Sequence, residues 1–277
     1  MLPDIVLQTD FGLTTGFVAS MYGVIRMVDQ SLDVFDLNHE IRPFDMRQGS
    51  FLLRDTIPYW KGGTVFVSVV DPGVGTARRG CVAKLNNGSF VVTPDNGSLT
   101  AILDRVVAVR EIDESVNRLK GSDKANSFHG RDVFAYTAAR LASGIINFEG
   151  VGPEYPVNEI VTFETTHGTV APGRAEGEIA GCTKHFGGAG TNIPFEWLKE
   201  QGMEYGDNVR LTIKHNDEVI LDEEVALAKS FGFVPLNAKL VFSSETACVM
   251  AGRNRGNLTR DYSLGFGPEW TMRVSKI

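Results

Sequence analysis

Two hydrophobic periodicities alternate along the first half of the chain. Short apolar runs rich in Val, Ile and Phe predict buried strands. Between the first two runs, apolar residues recur at spacings of three and four, which predicts one face of an amphipathic helix. Strands that alternate with helices are typical of βαβ units and a mostly parallel sheet. The predicted strands are 5–8, 32–37, 64–70, 90–93 and 105–112, and the predicted helices begin near residues 17, 46 and 131.

The pattern changes in the second half of the chain. Residues 165–176 are rich in Thr, Gly and Pro without periodicity, as in a linker. Beyond them, short apolar runs separated by Gly-rich turns predict an all-β region. A chain of 277 residues also exceeds the usual size of one domain. We therefore expect an α/β protein: a Rossmann-like, three-layer domain with a mostly parallel sheet at 1–164, and a smaller β-barrel domain at 177–277.

Composition narrows the possible partners. The net charge is −7 and the pI about 5.3, and Lys and Arg do not cluster, which argues against nucleic acid. The sequence shows neither a signal peptide nor an apolar run of membrane-spanning length, so we expect a soluble cytoplasmic protein without membrane partners. Three widely spaced cysteines and five scattered histidines lack metal-ligand spacing, so we expect no metal.

Two polar motifs follow apolar runs, where ligands of open parallel sheets bind. In TDFG at residues 9–12, Asp10 could accept both hydroxyls of a ribose, or it could cap the following helix. In NSFHGRD at residues 126–132, His129 precedes a predicted helix and could act as a base or hydrogen-bond donor. A purely structural histidine is the alternative.

A third motif, DPGVGTAR at residues 71–78, superficially resembles a dinucleotide-binding loop. The third glycine of that fingerprint would fall on Arg78, no helix is predicted next, and the P-loop lysine is missing, so both nucleotide motifs are rejected. What remains is a rigid turn that presents Asp71 and Arg78, which could hold each other in a fixed geometry. A structural ion pair is the alternative.

Taken together, five motifs resemble the S-adenosyl-L-methionine hydroxide adenosyltransferase family, which includes the fluorinases and chlorinases. They are TDFG at 9–12, HEIRPFD at 39–45, VDPGVGT at 70–76, TPDNG at 93–97 and FHGRD at 128–132. The resemblance implies that water cleaves S-adenosyl-L-methionine at ribose C5′, giving adenosine and L-methionine, without a cofactor. It places Asp71, Arg78 and His129 around that water.

The resemblance also implies substrate contacts. Asp10 would bind the ribose diol, with Phe11 beside it, and Phe44 would lie against the substrate. Members of the family are similar in forming homotrimers, with the ligand between the N-terminal domain of one subunit and the C-terminal domain of the next. In the second half, the resemblance assigns substrate contacts to Asn192, Ser243 and Arg253.

Departures from the family pattern leave alternatives open. Lys184 and Thr15 replace acidic residues, which leaves a different epimer or a different adenosyl or nucleoside compound open as the ligand, and a non-catalytic ligand sensor as one alternative function. A halogenase is the other alternative. Halogenases resemble this chain but carry Tyr in place of Asp71 and Ser in place of Gly130, since a carboxylate would repel a halide. Asp71 therefore favours water as the nucleophile.

Overall fold

The computed structural model describes residues 2–124, 126–183 and 185–277. The chain divides into two compact units between Phe163 and Glu164. Lys184, one of the departures from the family pattern, lies outside the described residues. Within the described parts of the chain, no helix is long and apolar enough to cross a membrane.

The first unit contains a seven-stranded mixed sheet. Its strands are β1 (Ile5–Thr9), β2 (Val34–Asn38), β3 (Val65–Val69), β4 (Gly80–Leu85), β5 (Phe90–Pro94), β6 (Val106–Glu111) and β7 (Glu154–Tyr155). Their order in the sheet is β2-β1-β3-β5-β4-β6-β7. Strands β2, β1, β3 and β5 pair in parallel, and β4, β6 and β7 add antiparallel pairs. The connection between β4 and β5 is a tight turn, which permits only antiparallel pairing.

Helices cover both faces of this sheet. They are α1 (Phe17–Val28), α2 (Met46–Thr56), α3 (Glu114–Asn117) and α4 (Tyr136–Ala142), the last preceded by a π-helical turn (Gly130–Ala135). Because side chains alternate along a strand, Ile5 and Leu7 of β1 pack on one face of the sheet and Val6 on the other. The first face is covered by α1 and α4, and the second by α2. The predicted three-layer α/β fold is thus confirmed.

The second unit is a closed β-barrel, as predicted for the C-terminal region. Its strands are β8 (Thr169–Ala171), β9 (Arg174–Cys182), β10 (Ala189–Pro194), β11 (Asn208–His215), β12 (Glu218–Leu227), β13 (Lys239–Ser243), β14 (Cys248–Arg253) and β15 (Gly267–Lys276), and its helices are α5 (Glu196–Glu200) and α6 (Leu258–Asp261). The seven strands β9 to β15 form the barrel, which the pairing of β10 with β9 closes, and β8 pairs outside β9. The barrel interior is a continuous apolar core.

Residues 165–176 differ from the expected linker. They contain β8 and the first residues of β9, which form a hairpin with Ala171 paired to Arg174. The turn uses Pro172 and Gly173, and Gly173 adopts φ +70°, a conformation that favours glycine. A three-residue strand is too short to produce a hydrophobic period, so the sequence pattern indicated only a turn-rich segment.

Candidate active site

The loop after β3 carries the first two residues of the site. Strand β3 ends at Val69, and the amide of Asn96 donates a hydrogen bond to the carbonyl of Val70 at 2.9 Å, which fixes the strand end before Asp71. The loop then turns tightly, with Gly75 at φ +75°. A Cβ on Gly75 would lie 2.9 Å from the carbonyl oxygen of Asn126, so only glycine fits there.

This loop returns the Arg78 guanidinium to Asp71. Arg78 Nε donates to both carboxylate oxygens, at 2.9 and 3.1 Å, and Nη2 donates to Oδ2. Only 4% of the Asp71 side chain and 10% of the Arg78 side chain are exposed. The guanidinium also lies 5.1 Å from the centroid of the Phe134 ring. Because both charges are largely withdrawn from water, removal of either partner would leave the other buried and unpaired.

His129, the residue just before the π-helical turn that precedes α4, joins this pair. Its Nδ1 atom lies 3.2 Å from Arg78 Nη2. A guanidinium can only donate, so Nδ1 is the acceptor and the neutral ring carries its proton on Nε2. Burial, helped by the charges of Arg78 and Arg118, lowers the pKa of His129, while Glu114 and Asp71 act in the opposite direction. Asp71, Arg78 and His129 therefore form one contiguous group, which we call the trio.

A cavity of about 440 Å³ adjoins the trio. One wall is aromatic: the rings of Phe11, Phe17 and Phe128 pack edge to face, with centroids 5.1 to 5.9 Å apart. Phe11 also lies against Gly130, where an added Cβ would be 3.0 Å from the ring. The site thus combines an apolar wall with a carboxylate and an imidazole, as small-molecule sites do. The lining residues are Phe11, Phe17, Val69, Asp71, Val74, Ser127, Phe128, His129, Gly130 and Arg131.

Asp10 follows the strand next to the one that carries Asp71. Thr9 of β1 pairs in parallel with Val69 of β3, so the two aspartates leave neighbouring strand ends. The backbone N–H of Phe44 donates to Asp10 Oδ2 at 2.9 Å. Burial, with a contribution from the charge of Asp71, raises the pKa of Asp10. Phe44 adopts φ +67° and its side chain is 68% exposed, so a bulky aromatic residue is held in a strained conformation at the surface of the first unit.

Two predicted substrate contacts in the barrel, Asn192 and Ser243, make hydrogen bonds to nearby backbone groups. Asn192 Oδ1 accepts from the backbone N–H of Glu178 at 2.9 Å, and its Nδ2 donates to the carbonyl of Thr166 at 2.5 Å. Ser243 Oγ makes a longer bond, 3.3 Å, to the carbonyl of Ser244. Asn192 thus ties the start of the second unit to β9, whereas Ser243 is only weakly engaged.

Arg253 is held away from Ser243. Its Nε donates to the carbonyl of Asn237 at 2.9 Å and its Nη1 to Asp261 Oδ2 at 2.7 Å. In the antiparallel pair of β13 and β14, Arg253 stands opposite Lys239, at the other end of the pair from Ser243. The structure therefore brings the trio together but does not bring these two barrel residues together.

Glu114 is a site residue that the motifs did not indicate. Its Oε1 lies 3.8 Å from His129 Nδ1, and its Oε2 accepts from Arg118 Nη1 at 2.8 Å. The only sequence signal is the spacing of four between an acidic and a basic residue, which is common on any helix surface. Folding, rather than spacing along the chain, places Glu114 beside the trio.

Comparison with known proteins identifies relatives of both units. The family profile described as the SAM hydroxide adenosyltransferase N-terminal domain matches residues 5–152. An (R)-S-adenosyl-L-methionine hydrolase of Salinispora arenicola is 44% identical over 146 residues, which cover 51% of this chain and 54% of that protein. The match therefore spans about half the length of that relative.

Two further comparisons extend over nearly the whole chain. An (R)-S-adenosyl-L-methionine hydrolase of Thermus thermophilus is 32% identical over 90% of this chain and 91% of that protein. A solved structure of an uncharacterised conserved protein from Thermotoga maritima superposes with a TM-score of 0.90 at 30% identity, covering 98% of this chain and all of the other.

Proposed function

This chain belongs to the SAM hydroxide adenosyltransferase family, and we propose that it hydrolyses S-adenosyl-L-methionine to adenosine and L-methionine. The observation that carries the proposal is the buried trio of Asp71, Arg78 and His129 beside a cavity with an aromatic wall. The names of the similar hydrolases from Salinispora and Thermus support the same substrate.

The chemistry requires little beyond an oriented water molecule. Its oxygen bonds to ribose C5′ as the C5′–S bond breaks, and the bonding pair goes to sulfur, giving neutral methionine thioether. A sulfonium is already a good cationic leaving group, so the sulfur needs no general acid and no metal. The water loses one proton, which the Asp71 carboxylate receives in the proposed reaction before it passes to solvent.

The trio supplies these functions in the proposed reaction. Asp71 accepts a hydrogen bond from the attacking water and so polarises it, while the double contact with Arg78 keeps the carboxylate in place. His129 is the second hydrogen-bond partner of the water. Its Nε2 is buried and has no hydrogen-bond partner among the described residues. An unpartnered buried donor costs free energy, which a bound water would recover.

Other residues of the first unit would hold the substrate. Asp10 binds the ribose diol in this proposal, with Phe11 next to it, and the exposed ring of Phe44 lies against the substrate. The position of Asp10 at the carboxyl end of β1, beside that of Asp71, supports this assignment. The assignments of Asn192, Ser243 and Arg253 remain predictions, as does a cytoplasmic location.

Water is favoured over a halide by two features of the cavity. Asp71 places a negative charge at the nucleophile site, which would repel fluoride or chloride. The second feature is the contact between Phe11 and Gly130, where halogenases have a serine. The Cβ of a serine at this position would lie 3.0 Å from the Phe11 ring, so the ring would have to move. The proposed activity is therefore hydrolysis, with halide transfer as the alternative.

We extend the proposal to a homotrimer in which the ligand contacts two neighbouring subunits. The exposed apolar rings of Phe17 and Phe44, 48% and 68% exposed, support a surface that a ligand or a second chain covers. Analytical sedimentation tests this extension: we expect a trimer, and a stable monomer with full activity would contradict it.

The proposed reaction is tested by incubating the chain separately with both sulfonium epimers of S-adenosyl-L-methionine, with and without fluoride or chloride. We expect adenosine and methionine in equal amounts from at least one epimer, unaffected by halide. A 5′-halo nucleoside would favour the halogenase alternative. Tight binding of the substrate without methionine release, even at high protein concentration, would favour the sensor.

A further inference from the structure

We propose that Glu114 is a positioning residue of the site, which acts on the trio through the Nδ1 atom that His129 presents to both Glu114 and Arg78. The inference rests on the proposed function, because it assigns Glu114 a part in controlling that reaction. Glu114 begins the short helix α3, and its side chain is 36% exposed. The cap residue Asp113 accepts from the backbone N–H of Ser115 at 3.0 Å, which fixes the start of this helix.

The Nδ1 atom of His129 faces two groups with opposite requirements. Arg78 Nη2, at 3.2 Å, can only donate and therefore requires an unprotonated Nδ1. The Glu114 carboxylate, at 3.8 Å, can only accept when ionised and therefore gains a hydrogen bond only from a protonated Nδ1. Because the contact with Arg78 is the shorter one, the present arrangement is that of the neutral ring.

Glu114 is held in place from behind. Arg118 Nη1 donates to Glu114 Oε2 at 2.8 Å, and Arg118 Nη2 donates to Asn126 Oδ1 at 3.0 Å. Asn126 in turn packs against Gly75 of the loop that carries Asp71. The Glu114 carboxylate is thus part of a connected polar group that reaches the same loop as the trio.

The charges that face His129 come from several elements. The loop after β3 contributes Asp71 and Arg78, and the region of α3 contributes Glu114 and Arg118. On the element of His129 itself, Arg131 and Asp132 neutralise each other through an ion pair with a shortest distance of 2.6 Å. Two carboxylates stabilise a protonated His129. Asp71 is already bound by Arg78, whereas Glu114 is not.

Protonation of His129 would therefore change its partner. The imidazolium can no longer accept from Arg78, and its Nδ1–H turns to Glu114 instead. His129 then loses its contact with Arg78 and is no longer joined to the Asp71–Arg78 pair. Glu114 raises the pH at which this change occurs and Arg118 lowers it, in the directions expected from their charges.

A titration without substrate tests the inference directly. We would follow the His129 ring by NMR in the full chain, in Glu114→Gln and in Arg118→Gln, assigning its signal by its loss in His129→Gln. We expect Glu114→Gln to lower the pKa of His129 by at least about half a unit, and Arg118→Gln to raise it. Since both substitutions break the same ion pair, structural damage alone would shift the two titrations in the same direction.

The matched control is Glu154→Gln, which breaks another Glu–Arg ion pair in the same unit, with Arg110 at 2.8 Å. It should leave the His129 titration unchanged. The acidic limb of the pH dependence of kcat/KM should then follow the NMR shifts in the two test variants.

Shifts of equal sign, no shift, or an acidic limb that does not follow His129 would overturn the role of Glu114. If the wild-type chain releases no adenosine, the proposed function fails instead. The NMR titration then still decides whether Glu114 controls the protonation of His129.

Discussion

Each unit contains an aspartate bound by an arginine through two oxygens, yet the two pairs differ in their surroundings. In the first unit, Asp71 and Arg78 are 4% and 10% exposed and adjoin a cavity. In the barrel, Arg210 donates to both oxygens of Asp222, at 2.8 and 2.7 Å, but the side chains are 52% and 39% exposed. The same hydrogen-bond pattern therefore serves two environments.

Burial and neighbouring groups, rather than the ion pair itself, distinguish the pair at the candidate site. On the barrel surface, hydrogen bonds from Arg210 and Thr212 lower the pKa of Asp222 to about 2, yet both side chains of the pair are exposed to solvent. An exposed pair of this kind adds little to stability. The Asp71–Arg78 pair has a third polar partner, His129, and an apolar wall on its open side, which together can orient one water molecule.

The largest expected effect comes from Asp71→Asn, which keeps the shape of the side chain and removes its charge. We expect turnover to fall by at least about a hundredfold, the usual scale for a lost acid–base group. Adenosine release measures turnover, and calorimetric titration checks that substrate still binds. The matched control is Asp222→Asn, which should retain wild-type turnover. Wild-type turnover in Asp71→Asn would show that the buried pair, like the exposed pair in the barrel, has no part in the reaction.

The second effect comes from the cavity wall. Gly130→Ala places a methyl group 3.0 Å from the Phe11 ring, so the ring must shift, and we expect a loss in kcat/KM of about tenfold. The smaller side chain of Phe11→Leu, added to Gly130→Ala, should restore part of that loss. Gly23→Ala in α1 is the control, since among the described residues its methyl group meets no atom within 4 Å apart from its chain neighbours and the backbone of its own helix. An unchanged kcat/KM in Gly130→Ala would show that the close contact is irrelevant.

The third predicted effect is a dependence of kcat/KM and of folding stability on pH. Because burial lowers the pKa of His129, its ring stays neutral below the ordinary histidine value of about 6.5. We therefore expect kcat/KM to hold as pH falls through 6.5 and to decline only at lower pH. As pH falls below about 6.5, His129 takes up a proton in the unfolded chain before it does so in the folded chain. The free energy of unfolding therefore decreases from about pH 6.5 down to the lower pKa of His129 in the folded chain.

Thermal unfolding across this pH range measures the stability change. The His129→Gln variant should lose this part of the pH dependence and retain the rest. Activity already half lost above pH 6.5 would contradict the lowered pKa.

The weakest effects that we predict are changes in unfolding free energy that distinguish Asn192 from Ser243 in the barrel. Asn192→Ala removes two hydrogen bonds to backbone groups and should cost about 1 to 2 kcal/mol of unfolding free energy. Ser243→Ala removes one long bond to its neighbour and should change stability by less than about 0.5 kcal/mol. Chemical denaturation measures both values. A rise in KM without loss of stability would assign either residue to substrate binding instead.

The pairing of Asp71 with Arg78 could be predicted from the sequence because it follows general rules, whereas the place of His129 beside them came only from the family resemblance. Apolar runs locate the strand β3, so the polar residues after it fall at the carboxyl edge of the sheet, and the glycines indicate a tight turn that can return Arg78 to Asp71. Alternating strands and helices likewise predict the layered unit. These features depend on local pattern, which a single sequence contains.

The remaining features depend on contacts between distant segments. Glu114 lies in a helix of four residues, too short to show a period, and meets His129 only through folding. The hairpin at Pro172 and Gly173 is similarly short. Barrel register decides that Arg253 stands opposite Lys239, far along the strand pair from Ser243, and no motif in the sequence specifies that register.

Hydrolysis at this site is tested by following the oxygen atom of the attacking water into the products. The chain is incubated with S-adenosyl-L-methionine in H₂¹⁸O, and the products are analysed by mass spectrometry. Attack of water at C5′ predicts one ¹⁸O in the 5′-hydroxyl of adenosine and none in methionine, with the two products in equal amounts. Adenosine without the label, or no adenosine at all, would contradict hydrolysis by the Asp71–Arg78–His129 site.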